Sequence, residues 1–190
     1  MELITFLEKY QKLHSQEKDL ILAHQRVITL PKGEHFHVAG KRCQNIGFVK
    51  SGILRTYFYD SEGQEFTKYF IQKGQLAVNL QSFNEGTPAD DFLIAETDVT
   101  LIMLSKSVLH MFSEKISNWD TTAKKIIETK LLEKLTAKNN MLNQGATDRY
   151  LSFMEANPEV MGNVALGHIA SYLGITQSTL SRIRRKIVHF

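Results

Sequence analysis

The stretch LGHIASYLGITQSTLSRI, residues 166–183, contains the spacing that decides the fold of the C-terminal part of the chain. Ala170 is small enough for two helices to approach closely, and Gly174, four residues later, can end a helix in the left-handed conformation without a Cβ clash. Thr176 can then cap a second helix. This spacing predicts a helix-turn-helix, with Asn163 as the cap of its first helix.

The second helix of this unit has two chemically different faces. At 100° per residue, Leu180, Ile183 and Ile187 lie on one side. The opposite side carries hydroxyl, amide and guanidinium groups, and no acidic residue follows residue 176. Such groups suit phosphates and base edges of DNA, where arginine can bind guanine through two hydrogen bonds. We predict that a helix over 177–188 enters the major groove, with DNA contacts from Thr176, Gln177, Ser178, Ser181, Arg182, Arg184, Arg185 and Lys186.

Within this set we expect two kinds of contact. Arg184 and Lys186 would mainly meet phosphates, and the base-reading residues would be Gln177, Ser178, Ser181 and Arg182. His168, on the first helix, either touches a phosphate or is solvated.

A long helix precedes this unit. Residues 119–142 are mostly helix formers without glycine or proline, and Asn143-Gln144-Gly145 ends the run at a predicted hinge. A further helix follows over about 147–156. Aliphatic residues of the long helix make one narrow stripe, at spacings of four, four and seven: Ile127, Leu131, Leu135 and Leu142. Such a stripe packs either on its own domain or on the same helix of a second copy.

The N-terminal part of the chain follows a different pattern. After a helical stretch at about residues 3–23, short β-branched or aromatic runs alternate with turn residues as far as Leu104. Asp60-Ser61-Glu62-Gly63 marks a hairpin between two of these runs. Many short strands at near-regular spacing predict a barrel or jelly roll. We therefore expect an α+β protein with an antiparallel, jelly-roll-like β-roll over residues 1–114, the long helix over 115–142 and a helix-turn-helix domain over 143–190.

Composition excludes several classes of protein. Hydrophobic residues make up 43% and charged residues 23%, as in ordinary globular proteins. No apolar run reaches the ~18 residues of a membrane span, and Met1–Phe6 lacks the basic region of a signal peptide. Cys43 is the only cysteine, which excludes an intrachain disulfide and makes a cysteine-ligated iron–sulfur or zinc site untenable without a partner chain. We expect a cytoplasmic protein without membrane contact.

An enzyme is the first alternative. His35-Phe36-His37 resembles the beginning of the metal motif of the cupins, another β-roll family, but residues 38–42 lack the glutamate that should follow. Asp90, Asp91 and Glu96 have no nucleophile or partner base nearby in the sequence, and we interpret them as solvated carboxylates. We expect no catalytic residue and no metal. Trp119 is expected in a core or an interface.

From about Val27 to Ile187 the chain resembles the Crp/Fnr family of transcription regulators. The resemblance includes FVKSG (48–52), Gly63, Gly74, the long helix, and the specific segments IASYLGI (169–175) and LSRI (180–183). It implies a cyclic-nucleotide-binding-like sensor domain, a dimerisation helix, and a helix-turn-helix that binds a two-fold symmetric operator in double-stranded DNA. It also implies that the stripe on the long helix joins a homodimer, and that RNA polymerase is a further partner.

The sequence departs from the nucleotide-binding members of that family. Those members hold the ribose and cyclic phosphate with Gly-Glu-Leu and Arg-Ser/Thr-Ala, whereas the matching places here read Val78-Asn79-Leu80 and Ala89-Asp90-Asp91. Two carboxylates would repel an anionic ligand. The corresponding effector pocket would be lined by Asn79, Leu80, Ala89, Asp90, Asp91 and Lys134. We expect no cofactor, an unidentified effector or none, and no high-affinity binding of cAMP.

Two further points follow from the resemblance. Family members usually continue from the second helix of the helix-turn-helix into a β-hairpin wing, and this sequence stops at Phe190. The second alternative to our interpretation is a nucleotide-responsive module whose C-terminal helices bind another protein.

Overall fold

The structure is a computed structural model that describes residues 2–188. Met1, His189 and Phe190, which fall in the predicted first and last domains, lie outside the described residues. The helices are α1 (Glu2–Leu7), α2 (Ser15–His24), α3 (Leu80–Glu85), α4 (Lys106–Lys115), α5 (Trp119–Leu142), α6 (Ala146–Ala156), α7 (Pro158–Asn163), α8 (Leu166–Leu173) and α9 (Gln177–Val188). The strands are β1 (Arg26–Leu30), β2 (His35–His37), β3 (Asn45–Ser51), β4 (Leu54–Tyr59), β5 (Glu65–Ile71), β6 (Leu76–Ala77), β7 (Phe92–Ala95) and β8 (Val99–Ser105).

The strands form two four-stranded sheets with the orders β1-β8-β3-β6 and β2-β7-β4-β5. Each strand pair is antiparallel. Aliphatic side chains from both sheets share one core, with Val49, Leu54, Leu93 and Leu101 fully buried. The predicted jelly-roll-like unit, here called the β-roll, is confirmed, and residues 60–63 form the turn between β4 and β5.

A second core lies where α1, α2 and α4 pack beside β3 and β8. It contains Phe48, Phe112 and Trp119, whose ring meets that of Phe112 edge to face with 5.0 Å between centroids. Trp119 is therefore a core residue, as predicted. The expected single helical stretch over 3–23 is wrong, because the chain forms two helices there. Glu17 starts α2 by accepting a hydrogen bond from the backbone N–H of His14.

Gly52 lies in the tight connection between β3 and β4. Its φ is +86°, and a Cβ at this position would lie 2.2 Å from the carbonyl oxygen of Asp98 and 2.9 Å from the Cα of Val99. A side chain at position 52 would therefore clash with backbone atoms of Asp98 and Val99, where the chain passes from β7 to β8.

We expect Gly52→Ala to lower the free energy of unfolding by about 3 kcal/mol or more, because it combines left-handed strain with a backbone clash. Gly63→Ala is the matched control, since Gly63 has a φ of +79° and open space around it. The control should lose only about 1 kcal/mol. Urea unfolding of both variants measures the difference, and equal losses would contradict the clash.

The C-terminal part of the chain contains the predicted helix-turn-helix, α8 and α9. Gly174 ends α8 with a φ of 67°, and Thr176 Oγ1 accepts a hydrogen bond from the N–H of Thr179 at 3.2 Å. Both of these predictions are confirmed. The prediction for Asn163 is wrong: it is the last residue of α7, which Pro158 begins, and its Nδ2 donates to the carbonyl of Glu159.

Candidate nucleic-acid interface

Helices α8 and α9 are held together by the aliphatic residues that the sequence places between them. Ile169, Ala170 and Leu173 of α8 are buried with Leu180 and Ile183 of α9. This packing fixes which side of α9 can face a partner.

The free side of α9 carries the predicted DNA-binding residues. Ser181 is half-buried, and the exposed members are Thr176, Gln177, Ser178, Arg182, Arg184, Arg185 and Lys186. Arg182 lies along its own helix, with Nη2 3.3 Å from Thr179 Oγ1. The structure thus leaves seven of the eight predicted residues exposed, and the set of eight is here called the α9 face. The α9 helix itself contains cationic side chains and no carboxylate.

Three of the predicted effector-pocket residues, Asn79, Asp90 and Asp91, are joined by hydrogen bonds. Asn79 caps α3 and donates hydrogen bonds to Asp90 and Asp91, at 3.1 and 2.8 Å. Lys68 donates to the same two carboxylates, at 3.2 and 3.0 Å. Asp91 is only 3% exposed, so the expectation of solvated carboxylates is wrong for this residue. Of the remaining predicted residues, Ala89 is buried and Leu80 is half-buried.

Lys68 was not predicted as a site residue, and its position has a local cause. Thr56 pairs with Tyr69, and Tyr57 pairs with Thr67, so Lys68 is the extra residue of a β-bulge in β5. A bulge changes which face a side chain occupies, and the sequence alone does not mark it here. The aspartates raise the pKa of Lys68 against the lowering effect of burial.

Lys134 connects the long helix to this group. Its Nζ lies 3.8 Å from the centroid of the Tyr69 ring, a cation–π contact. Loss of water around the ammonium lowers the pKa of Lys134, and the charge of Asp91 opposes that effect. We call Lys68, Asn79, Asp90, Asp91 and Lys134 the effector-site cluster.

A second charged group lies between the β-roll and the helix-turn-helix. Arg55 is buried, and its guanidinium binds Glu96 through Nε and Glu65 through Nη1, the latter at 2.7 Å. His168 of α8 approaches the same carboxylates, with Nδ1 3.0 Å from Glu96 Oε1 and Nε2 3.8 Å from Glu65 Oε1. The interpretation of Glu96 as solvated is therefore wrong. The His168 side chain is 34% exposed and lies against these carboxylates, and its contact with a phosphate stays a prediction.

The environment of Glu96 favours its charged form. Burial raises the pKa of Glu96, but the close approach of His168 and the hydrogen bond and charge of Arg55 outweigh burial and bring the pKa below its ordinary value. The stability that this carboxylate contributes is present above the pKa of the unfolded chain. It is lost as the pH falls through the lower pKa of the folded chain.

The aliphatic stripe of α5 does not pack on the chain's own β-roll. Leu131 is 52% exposed and Leu135 48%, and Leu142 is more exposed than either. Ile127 is 37% exposed, and Leu132, which is not part of the predicted stripe, is also exposed. A row of exposed leucines on one helix is the kind of apolar patch that marks an interaction surface.

The two histidines of the metal alternative have different environments. His35 Nε2 lies 2.9 Å from the hydroxyl of Tyr57, and His37 is buried. Within residues 2–188, no three or more His, Cys, Asp or Glu side chains are grouped so that they could hold a metal ion. None of the helices in that range is both long and apolar enough to cross a membrane.

Comparison with known proteins identifies the fold. The family model of the cyclic nucleotide-binding domain matches residues 27–115. No curated protein matches the chain by sequence.

Three solved structures match nearly the whole chain. A protein from Eubacterium rectale, assigned to the crp/fnr family of transcriptional regulators, has a TM-score of 0.70 at 20% identity over 92% of this chain and 83% of its own. FixK2 from Bradyrhizobium japonicum has a TM-score of 0.73 at 17% identity, over 87% of this chain and 85% of its own. CLP from Xanthomonas campestris, a c-di-GMP responsive global regulator, has a TM-score of 0.70 at 17% identity, over 93% of this chain and 92% of its own. The cyclic nucleotide-binding domain model therefore matches most of the β-roll, and the chain as a whole has the fold of the Crp/Fnr transcriptional regulators.

Proposed function

We propose that the chain is a sequence-specific transcription regulator that binds a two-fold symmetric operator in duplex DNA as a homodimer. The observation that carries this proposal is the α9 face. Hydroxyl, amide and guanidinium groups are exposed there together, while Leu180 and Ile183 anchor the other side of the helix. Arg182 is suited to a guanine edge, and Arg184 and Lys186 to phosphates.

The exposed stripe of α5 supports the dimer. Leu131, Leu135 and Leu142 lie free along the long helix, and burying them against the same helix of a second copy removes apolar surface from water. A parallel pair of α5 helices places the two copies of α9 on the same side of the assembly. Each copy then reads one half-site, with the half-sites about 34 Å apart, one turn of DNA.

Selection of bound sequences from random duplexes tests this function. We expect a palindromic consensus whose half-sites lie about 10 bp apart, centre to centre. Arg182→Ala protein, carried through the same selection, is the control and should relax the consensus at one position in each half-site. Failure to enrich any sequence would overturn the proposal. In that case the rival function, a module whose C-terminal helices bind another protein, would take its place.

We further propose that this regulator does not respond to cAMP. In the effector-site cluster, Asp90 and Asp91 already bind Lys68 and Asn79, so the charge of Lys68 is neutralised by these carboxylates, while the ammonium of Lys134 lies over the Tyr69 ring. Ala89 supplies no guanidinium in their place. An anionic ligand would meet two carboxylates and would have to break their hydrogen bonds.

Isothermal titration of the purified protein with cAMP checks this expectation. We expect no saturable heat with ligand up to about 1 mM, which corresponds to a binding free energy weaker than about 4 kcal/mol. Cyclic di-GMP serves as a second probe, because a protein of the same fold is described as responsive to it. Saturable binding of cAMP with a Kd below about 10 μM would contradict the proposal.

A further inference from the structure

The helix-turn-helix of this chain is docked on its own β-roll. The side of α8 that faces away from α9 lies on β5, where the backbone N–H of Thr67 donates to Ser171 Oγ at 2.9 Å. The rings of Phe70 and Tyr172 meet beside this bond, with 5.6 Å between centroids. The two parts of the chain therefore share both polar and apolar contacts.

The docking continues beyond α8. Gln72, at the end of β5, donates through Nε2 to Asn157 Oδ1 at 2.8 Å, so α6 and α7 are also held where they join. Ile53, which precedes β4, is buried in the core of the helical domain. Residues at the base of the β4–β5 hairpin therefore also contact the helical domain.

A buried charge group lies at the centre of this interface. Arg55 holds Glu96 and Glu65 in place and also lies 4.5 Å from the centroid of the Tyr57 ring. His168 is the residue of α8 that reaches these carboxylates. Removing α8 from this position takes a partner away from the buried Glu96 carboxylate, and buried charges are costly when they lose partners.

Docking leaves the α9 face free. Arg182, Arg184 and Arg185 stay exposed while α8 is in contact with β5. The docked arrangement is thus compatible with DNA contact, and it sets the direction in which α9 points. The hinge predicted at residues 143–145 is not the sole connection between the domains, because the contacts of α8 with β5 restrict rotation about it.

We propose that this interface fixes the spacing between the two half-sites that the dimer reads, with His168 as a positioning residue. The interface, here called the α8 clamp, consists of Arg55, Glu65, Thr67, Glu96, His168 and Ser171. The inference rests on the proposed function, because it requires a dimer that binds DNA. Each α9 helix is then fixed to its own β-roll, and the two β-rolls are fixed to each other through α5.

The first test needs no DNA. Spin labels at Thr29→Cys in β1 and Glu155→Cys in α6, both exposed positions, report the distance between the β-roll and the helical domain. Native Cys43 is buried and burial raises its pKa, so it reacts slowly with the label. We expect one narrow distance distribution in dimers diluted with unlabelled protein.

Removing the clamp should broaden that distribution. The His168→Ala/Ser171→Ala variant lacks both polar side chains through which α8 holds the β-roll. The matched control is His110→Ala, because His110 is exposed on α4 and pairs with Glu114 of its own helix. An unchanged distribution in the double variant would overturn the clamp.

The second test uses palindromes built from the selected consensus, with the half-sites moved apart or together in steps of one base pair. We expect His168→Ala to bind the optimal duplex about tenfold more weakly and to discriminate between spacings about tenfold less. His168→Gln, whose amide N–H can be placed close to Glu96, should restore much of the discrimination. A purely structural role would lower affinity equally at every spacing.

The outcomes separate the clamp from the proposed function. A parent protein that binds no duplex overturns the proposed function. A parent that binds duplex, together with a His168→Ala variant of unchanged spacing preference, overturns the clamp alone. Tighter binding by His168→Ala would also overturn it, because the docked state would then inhibit DNA contact.

Discussion

Arg182→Ala is expected to weaken binding to the selected operator by about a hundredfold to a thousandfold. A two-pronged contact of arginine with guanine contributes about 1–3 kcal/mol, and the proposed dimer would make the contact once in each half-site. Within the described residues 2–188, the hydrogen bonds of this side chain go to Ser178 and Thr179 of its own helix. The substitution should therefore leave the fold intact, and fluorescence anisotropy with a labelled duplex measures the loss.

Two control variants distinguish the loss of a base contact from the loss of a positive charge. Arg184→Ala should weaken binding to every sequence alike and reduce the salt dependence, by about 0.9 for each phosphate that the variant no longer neutralises. Arg26→Ala removes an exposed arginine from β1, far along the chain from α9, and should change neither quantity. If Arg26→Ala and Arg182→Ala had the same effect, the α9 face would not be the DNA-reading surface.

The double variant Leu131→Lys/Leu135→Lys is expected to be monomeric. Both leucines are about half exposed in the single chain, so lysines there remain solvated in a folded monomer but cannot be buried in a paired helix seam. Loss of the second half-site removes the gain from two linked binding events, so operator affinity should fall by at least about a hundredfold. Sedimentation equilibrium measures the mass, and anisotropy measures the affinity.

The control for this experiment is Leu22→Lys. Leu22 is an exposed leucine of α2, away from the stripe of α5. This variant should remain dimeric and keep its affinity for DNA. A dimeric Leu131→Lys/Leu135→Lys protein would show that copies of the chain associate through another surface.

The sequence predicts the elements that depend on local chemistry. The positions of Gly174 and Thr176 follow from the conformations and hydrogen bonds that glycine and threonine allow at helix ends. The bounds of α5 follow from a long run of helix formers that ends at Asn143. The β4–β5 hairpin follows from one cluster of turn residues. These features involve neighbours in the chain, so the sequence is sufficient to find them.

The features that the sequence does not predict all depend on distant residues. Glu96 and His168 meet only because α8 docks on the β-roll. Lys68 reaches Asp90 and Asp91 only because a bulge in β5 changes its face. A carboxylate in an isolated sequence resembles a solvated loop residue, and its buried partner becomes visible only in the folded chain.

The most direct test of the central claim is the salt dependence of operator binding. In the proposed dimer, two copies of α9 would place Arg184, Arg185 and Lys186 against phosphates, which predicts a slope of about −5 for log affinity against log salt concentration. Binding of the labelled palindrome should therefore be saturable at about 50 mM salt and about a thousandfold weaker at about 200 mM. Absence of association at the lower salt, or an affinity that does not change between the two, would contradict the account.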